Sequence, residues 1–483
     1  MASWRSFVAL VVSCACTLAP SRAAVAGASA EAGVRSFLAD LAVPGGSLRM
    51  VLRLEDDGDA TLDIPAQGIQ RLALEVTGGP GGALSMRIPV AVPATIEVRP
   101  VDGRLEGSFR QGSFAAPISF RPGEPSRPQD PVPPLPYETR DVEVRHPAGH
   151  VLAGTLVLPP GASPAARVPA VVFVTGSGPQ DRDESIMGHR PFLVMADALA
   201  RRGIASLRCD DRGTGRSTGS FENATSDDLA TDAEAAFDWL AAQAGIDPAR
   251  TGFLGHSEGG MTGPMATVAI DRRPGGGPRP AFVVMLAGTG VDGASILKGQ
   301  TAALFGAAGV NPDALAKVIA AHAALVDAAV AGKSVDELRA LAAVMVDAQL
   351  AASGAAAAVD PAQRDQAVAG TVTQMRAPWM RRFMALDPSV ALRSLRCPVL
   401  ALFAERDLQV LPSQNEAPVA AALRDAGVAA TVRTMPGLNH LFQPAARGTI
   451  DEYAAIDVTV DPAVLALVGD WILAQPPRPP ASR

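Results

Sequence analysis

The chain has 483 residues, enough for two or three domains at ~100–200 residues each. Apolar residues make up 48% and charged residues 19%, which excludes an intrinsically disordered chain. Its 42 basic and 49 acidic side chains leave a net charge of −7, a balance that argues against binding a nucleic-acid backbone. No apolar run reaches the length of a membrane span.

Residues 1–30 read as an export signal. Arg5 supplies the positive start, and Phe7–Ala19 is apolar but too short to cross a bilayer. Small-residue cleavage sites follow at Ala24-Val25-Ala26 and Ala28-Ser29-Ala30. A variant keeps the protein membrane-anchored, because Val11-Val12-Ser13-Cys14 resembles a lipoprotein cleavage box with Cys14 as the lipidated residue. Removing Arg5 and Arg22 takes the net charge from −7 to −9. Cys209 and Cys397 remain, and the strand pattern sets them at opposite edges of a sheet, too far apart for a disulfide. Two free thiols are expected.

Residues 31–122 are expected to form a small all-β domain. From about 45 to 122, short runs such as Leu48–Leu52, Leu72–Val76 and Thr95–Val98 alternate apolar and polar residues. Asp57-Gly58, Gly78-Gly79 and Asp102-Gly103 mark hairpin turns between them. Prolines 122, 125, 128, 131, 133, 134 and 136 make residues 123–137 an extended, semi-rigid linker. Residues 138–483 change class. A hairpin over Val142–His146 and Val151–Leu158 leads into strands at Ala170–Thr175, Ile204–Arg208, Gly252–Gly255, Phe282–Ala287, Val399–Ala404 and Ala430–Met435. Helical segments such as Phe192–Arg201 and Ala233–Ala244, the second stopped by Gly245, separate them. The alternation predicts a mostly parallel sheet with helices on both faces. Between about 290 and 392 the chain is rich in alanine and leucine and lacks strands. Pro312–Val330 and Ser334–Ala352 read there as amphipathic helices, and the insertion as a lid over the sheet's C-terminal edge.

Gly255-His256-Ser257-Glu258-Gly259 is a G-x-S-x-G elbow between a strand and a small-residue helix. The glycines suit a cramped turn, and the helix N-terminus favours negative charge developing at Ser257. A serine hydroxyl needs a base, and the base needs an orienting acid. Only His440 follows the last strand. His146 and His150 belong to the opening hairpin, His256 adjoins the serine, His322 sits in a lid helix, and His189 precedes the serine and is placed to contact substrate. Asp407 is preferred as the acid over Glu405, both lying after Val399–Ala404. The backbone N–H of Glu258 and that of Ser177, with Gly178 as alternative, are the candidate oxyanion donors. Gly213-Thr214-Gly215-Arg216-Ser217-Thr218 lacks the third glycine of a dinucleotide fingerprint. Asp181, Asp183 and Glu184 come without a histidine or cysteine cluster, so no metal is expected; bracing of the oxyanion loop through Arg182 fits them better.

From about 140 to 475 the chain resembles the α/β-hydrolase family, specifically its serine esterases and the related serine aminopeptidase-type hydrolases. Thr175–Asp183, Asp210–Ser217, the elbow and Leu438-Asn439-His440 carry the resemblance. It implies the triad Ser257, Asp407 and His440, and a small β domain like that preceding some bacterial members. Ala404 departs from it, since the family often has glycine three residues before the acid. The expected function is a secreted serine hydrolase cleaving small-molecule carboxylic esters through an acyl-enzyme, with no cofactor and no nucleic-acid partner. Aminopeptidase or amide hydrolysis by the same triad is the alternative, and would need a lid carboxylate such as Asp313 or Glu337 to hold a free amine. A non-catalytic envelope-binding protein is the third reading.

Overall fold

The computed structural model describes residues 34–478, apart from 44–45, 68, 91–92, 113, 355 and 357–358. The predicted export signal and its variant at Cys14 lie outside the described residues.

The N-terminal strands are β1 (Val34–Val43), β2 (Gly46–Glu55), β3 (Ala60–Ile64), β4 (Ile69–Ala73), β5 (Glu75–Gly78), β6 (Leu84–Ile88), β7 (Ala94–Val101), β8 (Arg104–Gln111) and β9 (Phe114–Pro122). They form one nine-stranded sheet in the order β4-β3-β2-β1-β9-β8-β7-β6-β5. Leu41, Met50, Leu52, Leu62, Met86, Ile96 and Phe120 are among its fully buried core residues. The turn at Asp102-Gly103 has φ of 48° and 77°, the left-handed pair that a tight hairpin needs. Alternation of apolar and polar residues, as read from about 45 onward, misses β1. That strand buries three consecutive residues, Phe37, Leu38 and Ala39, which breaks the period of two.

The second sheet contains β10 (Glu138–Arg145), β11 (Val151–Leu158), β12 (Val168–Val174), β13 (Ala205–Cys209), β14 (Ile246–His256), β15 (Val283–Leu286), β16 (Val399–Ala404) and β17 (Ala430–Met435). Its order is β10-β11-β13-β12-β14-β15-β16-β17. The pairs β10–β11 and β11–β13 are antiparallel and the rest parallel. β14 is longer than Gly252–Gly255, because Ile246 pairs with Val168 before a register shift carries the ladder to Thr251 and Ala170. Helix α1 (Pro191–Ala200) packs on one face. Helices α2 (Ser226–Ala241) and α3 (Gly259–Arg272) pack on the other. α2 begins seven residues before the predicted Ala233. Its first turn is acidic and is fixed by a capping box between Thr225 and Asp228, a start that apolar spacing does not reveal. It ends at Ala241, ahead of Gly245.

Among the described residues, the chain runs from the C-terminal end of β15 through six helices: α4 (Gly293–Ala307), α5 (Pro312–Val330), α6 (Val335–Ala352), α7 (Pro361–Arg376), α8 (Pro378–Ala385) and α9 (Pro388–Leu392). Periodicity picks out α5 and α6. α7 escapes it because only Val368, Val372 and Met375 of its 16 residues are buried. Beyond β16, α10 (Pro412–Ala426), α11 (Ile450–Tyr453) and α12 (Pro462–Ala474) complete the fold, with α12 beside α1. The proline-rich segment forms no regular element, but it is docked. Arg127 donates to the carbonyls of Gly188 at 2.8 Å and Ala454 at 3.2 Å, and Asp130 pairs with Arg190 at 2.7 Å.

Candidate active site

Ser257 follows the last residue of β14, two residues before α3 begins, with φ of 53°. A left-handed conformation at a non-glycine residue costs of the order of 1–3 kcal/mol and persists only where its surroundings enforce it. The flanking glycines show the enforcement. A Cβ on Gly255 would lie 2.0 Å from the Gly259 carbonyl oxygen, and one on Gly259 would lie 2.0 Å from that of Val174. The Ser257 amide donates to the Leu286 carbonyl at 2.9 Å, which ties the turn to β15.

His440 lies in the loop after β17, and its Nδ1 is 2.7 Å from Asp407 Oδ2. Asp407 is 1% exposed and His440 4%. The other Asp407 oxygen, Oδ1, accepts from the amides of Gln409 at 2.7 Å and Val410 at 2.9 Å. This arrangement fixes the carboxylate and makes the His440 Nδ1–H tautomer the one that satisfies it. Glu405 points away and accepts from the exposed Gly437 amide at 2.7 Å. Ser257 and His440 line one cleft of about 80 Å³ with Gly176, Ser177 and Glu258. Among the described residues neither the Ser177 nor the Glu258 amide donates to another protein group. Ile296, Leu297 and Gln300 of α4 and Phe383 of α8 close the cleft from the helical insertion.

Two supports around this cleft, His256 and the Glu258 side chain, escape sequence reasoning; Glu184, expected to brace the oxyanion loop through Arg182, braces it directly, while Arg182 pairs with Asp210 and Asp183 with Arg208. His256 does not idle behind the serine: its Nδ1 is 3.0 Å from Glu184 Oε1 and its Nε2 is 2.9 Å from the His440 carbonyl. Burial disfavours its charged form, but the Glu184 carboxylate outweighs this and the His256 pKa is raised. Glu184 Oε1 also accepts from the Gly176 amide at 2.8 Å, so one carboxylate joins the loop after β12 to the histidine loop. The side chain of Glu258 is 1% exposed and accepts from Ser226 Oγ at 2.5 Å and from Trp379 Nε1 at 3.0 Å, which anchors α8 to the elbow. Burial pushes the Glu258 pKa up against these donors. Only the chain positions of Ser226 and Trp379, 32 and 121 residues from Glu258, prevent such contacts from being read locally.

The loop carrying Ser177 is braced from β13. Asp210 accepts from the Arg182 guanidinium at 2.8 and 3.0 Å, and Asp211 from Thr175 Oγ1 at 2.7 Å and the Gln180 amide at 2.8 Å. His189, expected to contact substrate, instead bonds Thr459 Oγ1 at 2.9 Å and the Tyr453 carbonyl at 2.8 Å and is fully buried. Asp313 and Glu337 do not line the cleft; Glu337 is exposed and closes a capping box with Ser334. Cys209 and Cys397 are free thiols. Away from the cleft, His146, His150 and Asp232 bring one ligand atom each within 4.8 Å of one another. Asp232 is already committed there, to His150 Nε2 at 2.7 Å and to Arg212 Nε at 2.7 Å.

Residues 148–278 match the X-Pro dipeptidyl-peptidase family, S15. The chain is 39% identical over 83 residues to the esterase EstD of Thermotoga maritima, a match that spans 17% of this chain and 18% of that enzyme. Among solved structures it is similar to an esterase of Pyrococcus furiosus, with TM-score 0.40 and 13% identity over 70% of this chain and 92% of the other. An esterase of Pyrobaculum calidifontis gives TM-score 0.40 and 15% identity over 71% and 85%. A dienelactone hydrolase of Anabaena variabilis gives 0.37 and 16% over 70% and 99%. The family match and the esterase relative support a serine-type α/β hydrolase, and the second sheet places Ser257 after β14, Asp407 after β16 and His440 after β17.

Proposed function

We propose that the protein is a serine hydrolase that cleaves carboxylic esters through an acyl-enzyme on Ser257. His440 takes the Ser257 proton as the hydroxyl attacks the acyl carbon, and Asp407 holds the imidazole and stabilises the imidazolium. The amides of Ser177 and Glu258 receive the oxyanion, assisted by the N-terminus of α3. His440 returns its proton to the leaving alcohol, then activates the water that releases the acid. The observation that carries this reading is the 2.7 Å His440–Asp407 pair opening onto the same cleft as a serine held at positive φ. The helical insertion from α4 to α9 acts as the lid, and residues 1–30 as the export signal.

Ser257→Ala is expected to lower turnover of a short-chain nitrophenyl ester by ~10⁴–10⁶-fold and to abolish labelling by a fluorophosphonate. Retention of most activity would defeat the proposal. The match of residues 148–278 to a peptidase family supports peptide hydrolysis as a second reading. Against it, neither lid carboxylate expected to hold a free amine lines the cleft. Parallel assays on nitrophenyl esters and aminoacyl anilides decide between the two.

A further inference from the structure

Three glutamines line the Ser257 cleft from three separate segments. Gln180 comes from the loop after β12, Gln300 from α4 and Gln409 from the loop after β16. Each is half-buried, and each keeps an accessible amide oxygen with no partner among the described residues. Gln180 donates its Nε2 to the Ser177 carbonyl at 3.2 Å, and Gln409 its Nε2 to Tyr453 Oη at 3.2 Å, which leaves the two Oε1 atoms unpaired. Gln300 bonds through neither end of its amide, so its oxygen and its NH₂ are both accessible and free among the described residues. No lysine or arginine among them lines the cleft. Its two carboxylates are buried and held by protein donors, Glu184 by the Gly176 amide and Glu258 by Ser226 and Trp379.

We propose that these glutamines select esters of polyhydroxylated alcohols, sugars or polyols, with Gln300 the principal specificity-determining residue. This rests on the ester-hydrolase reading and names the substrate class within it. An amide oxygen accepts and never donates. A substrate that displaces water from the three oxygens must therefore bring donors, or forfeit about tenfold in affinity for each one left bare. An alkyl ester brings none. An ammonium donates but would meet no free carboxylate, and a substrate carboxylate would meet no cation. Neutral hydroxyls remain, and they also accept from the Gln300 NH₂. Acceptors arriving from three segments call for several donors on one small molecule, which a sugar or polyol carries and a single amide N–H does not. Leu297, Phe383 and Leu441 supply apolar surface for the acyl group and for the C–H faces of the alcohol.

The test uses the full chain and matched pairs of acetates. Glycerol monoacetate is set against propyl acetate, and methyl glucoside acetylated on its primary hydroxyl against cyclohexylmethyl acetate. In at least one pair the hydroxylated ester should have a kcat/KM about tenfold higher or more, mainly through KM. A preference confined to the glycerol pair identifies a polyol, and one in the glucoside pair a sugar. Gln300→Leu gives up no hydrogen bond within the described residues, so it should melt as the parent does and lower the preference about three- to tenfold. Gln300→Asn should keep part of it, and Gln409→Leu should lower it as well. Equal rates within both pairs, or a preference unchanged in Gln300→Leu, overturns the proposal. Calorimetric binding of the same pairs to Ser257→Ala separates the two readings. A Gln300-dependent preference in binding without ester turnover in the parent upholds the selection of hydroxyls and defeats the esterase. Turnover of nitrophenyl acetate without a hydroxyl preference defeats the selection alone.

Discussion

Asp407→Asn tests the division of labour in the cleft most sharply. In the parent, Oδ2 accepts from His440 Nδ1 at 2.7 Å while Oδ1 accepts from the Gln409 and Val410 amides. An asparagine oriented by those two amides keeps both of their bonds and presents an NH₂ to His440. That group donates, so Nδ1 must become the acceptor and the ring proton moves to Nε2, which then cannot take the serine's proton. One hydrogen bond is exchanged for another of reversed polarity, and stability should change by no more than about 1 kcal/mol. Activity should not be spared: the wrong tautomer costs ~10⁴-fold, or about 5.4 kcal/mol of transition-state stabilisation at 1.36 kcal/mol per tenfold. The assay is kcat/KM on a nitrophenyl ester, read beside thermal unfolding. Asp407→Ala serves as contrast, since it also strands two buried amides at about 1–3 kcal/mol each and should lose stability together with activity. Glu405→Gln should stay within about threefold of the parent, because its single bond to Gly437 is exposed and no charge faces the histidine. An Asp407→Asn enzyme within tenfold of the parent, or a Glu405→Gln enzyme as damaged, would refute the reasoning.

Gly259→Ala should fail to fold or lose more than about 4 kcal/mol, since its Cβ would sit 2.0 Å from the Val174 carbonyl oxygen; soluble protein with a parental melting temperature would contradict the elbow geometry. The Glu184–His256 pair makes stability depend on pH. The folded His256 pKa is raised above its unfolded value of about 6.5, so the pair's contribution is complete below that value and is lost as pH rises through the folded pKa. The melting-temperature gap between parent and Glu184→Gln should accordingly shrink with rising pH, and a constant gap would exclude the charge pair as its cause. Trp379→Phe keeps the ring stacked on Phe383 but removes the N–H held by Glu258. It should cost about 1.5–3 kcal/mol, the range for hydrogen bonds to charged groups, and raise KM through Phe383 in the cleft wall; a variant with parental stability and KM would show that this anchor does not position α8.

Local sequence names the chemistry better than it names the surroundings. The G-x-S-x-G pentapeptide encodes its own strained turn, and Asp407 follows a strand whose apolar run is unmistakable, Val399–Ala404; Ala430–Met435, before His440, has one buried residue, yet both strands are found with the same bounds in the structure. Such signals are short-range, and the elbow and the Val399–Ala404 run are each enforced within a few residues by steric or periodic rules. The start of α2 is missed because a capping box of Thr225 and Asp228 sets it while apolar spacing is silent. β1 is missed because three adjacent buried residues defeat the alternation. His189 is misjudged because its partners, Thr459 and Tyr453, lie 270 and 264 residues away.

The same distinction separates the proposed reacting groups from what aims them. Ser257, Asp407 and His440 each follow the C-terminal end of a strand in the parallel part of one sheet, so strand order alone brings their loops together at one edge. Positioning them to within hydrogen-bonding distance needs more, and the structure supplies it through buried polar side chains that join separate loops. Glu184 and His256 link the loop after β12 to the carbonyl of His440, and Glu258 links the elbow to α2 and to α8 of the insertion. Each is a charged or chargeable group taken out of water, which is costly unless every partner arrives together. A network of this kind is satisfied in one arrangement of sheet, loops and insertion, and breaking any member leaves a buried charge behind. The cleft's geometry is therefore coupled to the packing of the helical insertion through Glu258 itself, the residue whose backbone amide is proposed to receive the oxyanion.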